Sequence, residues 1–158
     1  MLTTFSRAVL LSCAVAASLT SQSVASKPGD QVQIRFASFD PATETPDIPV
    51  TLRSARNQSM RIVQFVGIPT EEGRQAIALA GGKIIGYLPS NSYVVRMTAE
   101  QAAVVRLSSM VRWVGDYHPA FRLDPALIQA NVLALDVPVR YDIVVADKKT
   151  DKPALAEK

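Results

Sequence analysis

Residues 60–122 predict an α+β fold, and three features of the sequence carry that prediction. β-rich and helical runs follow one another in the order strand, helix, strand, strand, helix, strand. Each helical run opens on a residue able to cap it and carries a narrow apolar stripe. The two middle strands are separated only by Pro89-Ser90-Asn91, which suits a hairpin. Strand-helix-strand, twice over, is the split-βαβ or ferredoxin-like plan: a βαββαβ antiparallel sheet with two helices on one face.

Each element has a local reason. Arg61–Gly67 is the first β-rich run. Thr70 can N-cap the helix Gly73–Ala80, with Glu71 and Glu72 in the first turn facing the positive end of the helix dipole. Ala76, Ile77 and Ala80 give the apolar stripe, and Gly81-Gly82 supplies a C′ residue able to adopt positive φ. Lys83–Leu88 and Ser92–Thr98 are the hairpin strands. Thr98 and Gln101 form a Thr-x-x-Gln capping box ahead of the helical run Ala99–Ser109, in which Ala102 and Val105 make the inner edge. Val111–Val114 is the last strand.

This plan leaves one sheet face uncovered. If Val63 and Phe65 point at the helices, Ile62, Gln64 and Val66 point away from them. If Tyr93, Val95 and Met97 point inward, Val94 and Arg96 point out. That outer face is more apolar than solvation requires, which marks it as a partner surface. The plainer alternative is a scatter of apolar residues such as any surface carries.

With 48% hydrophobic and 20% charged residues, the chain of 158 has material for one core or two small ones. The net charge is only +3, without a Lys/Arg cluster or a stacking platform, which argues against nucleic acid as a partner. Residues 1–25 read as a signal peptide: Arg7 gives the positive region, and Ala8–Leu19 is apolar but too short to span a membrane. Ser23-Val24-Ala25 places small residues for cleavage after Ala25, predicting a secreted protein with no membrane attachment once the signal is removed. A lipidated Cys13 after Leu10-Leu11-Ser12 is the lesser alternative, since little apolar sequence precedes it and more follows.

The sequence predicts no catalysis, no metal and no cofactor. Cys13 is the only cysteine, so the mature chain would hold no disulfide, thiolate site or cysteine nucleophile. His118 is the only histidine, which excludes metal sites built on two or more. His118 and Asp116 are the one conceivable acid–base pair, and no serine is placed to attack beside them. Gly81-Gly82 ends a helix, so it offers no N-terminal amides to a phosphate. Trp113 and Tyr117 read as core or domain contacts.

The flanks differ from the module. In residues 26–59, Val32, Ile34 and Phe36 alternate as one half-buried strand. Phe39-Asp40-Pro41 ends it, and Pro41, Pro46 and Pro49 make an extended, irregular approach. Gly115–Arg122 reads as an extended aromatic tail. In residues 123–158, a linker leads to strands at Val132–Asp136 and Val139–Ala146 and a helical Thr150–Lys158. Ile143 and Val145 there repeat Val63 and Phe65, Thr150-Asp151 repeats Thr70-Glu71, and Ala156 repeats Ala76, at an offset of about eighty residues. The chain therefore reads as stopping inside a second, similar unit, as a truncated reading frame would.

Three blocks carry a resemblance. Arg61–Phe65, Gly86–Met97 and Val111–Pro119 resemble the N-terminal prosegment region of secreted bacterial subtilisin-like serine peptidases, and Phe39-Asp40-Pro41 is similar to the approach to that region. The likeness covers roughly residues 32–125. It implies a propeptide-type inhibitor fold, which is ferredoxin-like. It further implies a partner, a subtilisin-like protease domain bound in cis or in trans, whose folding or activity the module regulates. By position, the protease-contact face would be Ile62, Gln64, Val66, Val94 and Arg96. The cleft-binding tail would be Tyr117, His118, Pro119, Ala120, Phe121 and Arg122. Simple prosegments end at that tail, whereas this chain continues. Two alternatives stay open: the front end of a longer secreted peptidase, and a ferredoxin-like ligand-binding or assembly domain.

Overall fold

The computed structural model describes residue 27, residues 29–130 and residues 142–144. The expected signal peptide, and all but residues 142–144 of the expected second unit beyond residue 130, lie outside the described residues. In chain order the elements are β1 (Val32–Gln33), β2 (Ser38–Phe39), β3 (Met60–Phe65), α1 (Glu71–Leu79), β4 (Lys83–Leu88), β5 (Ser92–Arg96), α2 (Ala99–Arg106), β6 (Val111–Asp116) and α3 (Pro125–Ala130), with 3-10 turns at Val50–Leu52 and Pro119–Arg122.

The α+β prediction holds. Strands β3 to β6 form one antiparallel sheet in the order β4-β5-β3-β6, the order of a split-βαβ unit and compatible with a ferredoxin-like fold. Both helices start as their sequences dictate. The Thr70 hydroxyl accepts the Gly73 N–H at 3.2 Å. At Thr98 the capping box closes both ways, the hydroxyl accepting from Gln101 N–H and the Gln101 side chain accepting from Thr98 N–H at 2.9 Å. Gly81, at φ +84°, ends α1 in the left-handed region that a Cβ would disfavour. One apolar core lies between sheet and helices, with Val63, Phe65, Val95, Met97 and Val114 meeting Ile77, Ala102 and Val105.

The other sheet face departs from expectation, because it is covered. Val32, Phe39 and Ile48 from the N-terminal segment, and Ala120 and Phe121 from the 3-10 turn, bury Ile62 in a second core. β3 is therefore buried at five consecutive residues instead of at alternate ones. Composition supplies the reason. Residues 29–52 carry too many large apolar side chains to run as a solvated extension, and burying Val32, Phe39 and Ile48 stabilises by about 2 kcal/mol each. The expected strand over Val32–Phe36 is correspondingly shorter: β1 and β2 make a two-residue hairpin, with Val32 opposite Phe39, while Ile34 and Phe36 pack into the second core. Residues 26–59 and 60–122, separate in the sequence reading, thus share one core.

Candidate functional site

The outer face of the sheet, with the segments laid on it, is where nearly all the sequence-predicted site residues fall. Ile62 and Gln64 have no exposed surface and Val94 has 7%. Arg96 is half-buried, and Val66, just past the end of β3, is exposed. The open contact face expected at Ile62, Gln64 and Val94 is thus corrected: all three are buried, and Ile62 and Gln64 touch the chain's own N-terminal layer. The extended tail is corrected as well. Pro119 fixes φ at the first position of a 3-10 turn over Pro119–Arg122, with Ala120 and Phe121 buried. Phe121 lies within 6.2 Å, ring centre to ring centre, of Phe36, Phe39, Tyr117 and His118.

A polar clamp ties the layer down. Arg112 Nη1 donates to the Asp30 carbonyl and to Gln64 Oε1, both at 2.9 Å, and Nη2 donates to the Asp40 carboxylate at 2.8 Å. Gln64 Nε2 donates in turn to the carbonyls of Gly29 and Asp30 at 3.2 and 3.0 Å. Asp40, only 5% exposed, also accepts the Ala42 N–H at 3.0 Å. Neither Arg112 nor Asp40 stands out in sequence. The structural cause is a β-bulge: β3 and β6 shift register after Gln64, whose partner is Trp113, while Phe65 pairs with Val111 and Arg112 pairs with nothing. An unpaired residue re-aims its side chain. Val111 can then pack toward the helices while Arg112 reaches the outer layer. Beside it the Trp113 indole lies against Gly115, where a Cβ would come within 2.0 Å of the ring.

His118 and Asp116 do not pair with each other. The Asp116 carboxylate meets Arg61 across the β3–β6 pair. Burial lowers the Arg61 pKa from its ordinary value, with nearby Arg106 adding to the effect. His118 Nδ1 accepts the Ser54 N–H at 2.9 Å, so the tail is stitched to the segment after the 3-10 turn at Val50–Leu52. Burial lowers the His118 pKa, and the Arg53 charge lowers it further. A proton on Nδ1 would abolish the acceptor. The unfolded chain takes that proton near pH 6.5 and the folded chain only at lower pH, so this contribution to stability is full above about pH 6.5. It is lost as the pH falls through the folded value. Urea titrations at stepped pH should show the wild type losing stability below about pH 6.5, with that component missing in His118→Gln.

Phe39, Trp113, Phe121, Glu44, Asp116 and His118 help to line a cleft of about 80 Å³. That is far below the roughly 300–1,000 Å³ of small-molecule sites. Among the described residues no group of three or more His, Cys, Asp or Glu could hold a metal ion, and no helix is long and apolar enough to cross a membrane.

No curated protein and no solved structure matches the chain. One family model does, over residues 33–118, from β1 to the residue that opens the last 3-10 turn. The match takes in most of the N-terminal layer and the whole four-stranded sheet, more than half of the sequence. The chain therefore belongs to the family described as Domain of unknown function (DUF8729).

Proposed function

We propose that the protein is a secreted, non-catalytic binding module of the prosegment type, acting on a subtilisin-like serine peptidase domain by contact. The observation that carries this reading is the placement of the three resembling blocks. Arg61–Phe65 lies in β3, Gly86–Met97 covers most of the β4–β5 hairpin, and Val111–Pro119 is β6 with its exit, so the blocks are neighbouring strands of one sheet. The surface used would differ from the one the resemblance implies. Docking on Ile62 and Gln64 requires the N-terminal layer to leave, at a cost on the order of 6 kcal/mol for three of its side chains. Val66, Ile68 and Leu107 need no such step. They are 65%, 86% and 86% exposed. They flank the place where Val66 N–H bonds the Met110 carbonyl at 2.9 Å, on the loops leading into α1 and out of α2.

The test is titration of the protein, purified from an exporting host, into several bacterial subtilisins while its own intactness is followed. Tight inhibition that fades as the chain is cut near Tyr117–Leu123 supports the reading. Indifference of every subtilisin, or rapid digestion without inhibition, overturns it. A second reading, an assembly domain, is favoured by a different observation: among the described residues, no strand covers the outer edge of β4.

A further inference from the structure

We infer that β4 is a self-association edge, pairing antiparallel with β4 of a second copy to make one continuous eight-stranded sheet. The sheet ends at β4 on one side and at β6 on the other. At β6 the Val114 carbonyl is taken by the Arg106 guanidinium at 3.0 Å. β4 has six residues and, among the described residues, only β5 beside it, so a row of backbone donors and acceptors faces outward. Its sequence is Lys83-Ile84-Ile85-Gly86-Tyr87-Leu88, with Tyr87 60% exposed. A charged or proline-bearing edge would resist pairing, and this one carries a single charge, at its end.

The second copy is the occupant because the strand is self-complementary. With a two-fold axis between Ile85 and Gly86, Ile84 lies opposite Tyr87 of the second copy, Lys83 opposite Leu88, and Ile85 opposite Gly86. Face parity agrees. Ile84 and Tyr87 pair on β5 with Val95 and Tyr93, which belong to the helix-side core. Leu88 packs on the outer side, and Lys83 pairs with Arg96, next along β5 from inward-facing Val95. A register shift between Ile84 and Gly86 leaves Ile85 without a partner on β5. Gly86 offers the room to receive it, since a Cβ there would meet nothing within 4 Å. The two Lys83 charges fall at opposite ends of the pairing, about 17 Å apart, beyond a physiological screening length.

Gly86→Val is the decisive variant. It fills empty space in the single chain, yet obstructs Ile85 of the second copy at both symmetry-related positions. Sedimentation equilibrium of the exported protein should show a concentration-dependent dimer. Gly86→Val should weaken it roughly a hundredfold with no loss of thermal stability in the monomer. Because Cys13 is the only native cysteine, Ile84→Cys combined with Tyr87→Cys should yield a disulfide-linked dimer under oxidation. A wild type monomeric at every concentration overturns the inference. So does a dimer that Gly86→Val leaves intact, or one in which the paired cysteines do not cross-link. Each readout is independent of whether any peptidase is inhibited.

Discussion

Arg112→Ala is expected to remove about 3–5 kcal/mol of stability, the range for breaking a buried ion pair by deleting one partner. The loss exceeds that of an ordinary surface arginine because of what is left behind. The buried Asp40 carboxylate loses its guanidinium, and Gln64 Oε1 and the Asp30 carbonyl lose their shared donor. Urea unfolding measures it: the midpoint should fall while the slope stays unchanged, since the same surface is exposed. Replacing Asp40 together with Arg112 by apolar residues should recover much of the loss, because no unpaired charge remains inside. If Arg112→Ala costs less than about 1 kcal/mol, the clamp is no more than a surface contact.

Phe121→Ala should cost about 3–4 kcal/mol. The ring is 5% exposed and sits among Phe36, Phe39, Tyr117 and His118, so its removal opens a cavity that these four rigid neighbours cannot close. An extended tail waiting for a cleft would respond differently: the same substitution there would stay within about 0.5 kcal/mol. A thermal melt therefore separates the two arrangements. The Arg122 guanidinium, 5.4 Å over the Tyr117 ring, is a weaker and more exposed contact.

What could be read in advance follows from the range of the interactions involved. The caps at Thr70 and Thr98, the stripes of α1 and α2 and the hairpin at Pro89-Ser90-Asn91 are settled within a few residues, so local sequence specifies them. Even the turn is local: Ser90 and Asn91 both take positive φ, a region where asparagine is at home. Strand parity also placed Ile62, Gln64 and Val94 correctly on the side away from the helices. What covers that side was not legible, because it is set by contacts between residues far apart in sequence. Val32, Ile34 and Phe36 look like one amphipathic strand until Ile62 and Phe121 are brought to them. Arg112 was the least legible. Plain alternation from Val114 puts its side chain on the helix side, and only the bulge after Gln64 turns it to Asp40. The hydrogen bond from Ser54 N–H to His118 spans 64 residues, beyond the reach of any local pattern.

The clamp also imposes an order on the birth of the molecule. Arg112 and the Asp30 carbonyl it binds are separated by 82 residues, so the clamp on the N-terminal layer cannot close until β6 has been made. At roughly 5–20 residues per second of synthesis, that is a wait of several seconds with Val32, Ile34, Phe36 and Phe39 in water. Sheet and helices can meanwhile assemble from nearer neighbours, which close loops at lower entropic cost. The layer that precedes the sheet in sequence is thus fastened only after the sheet is made, and its apolar side chains are a sticky surface until then.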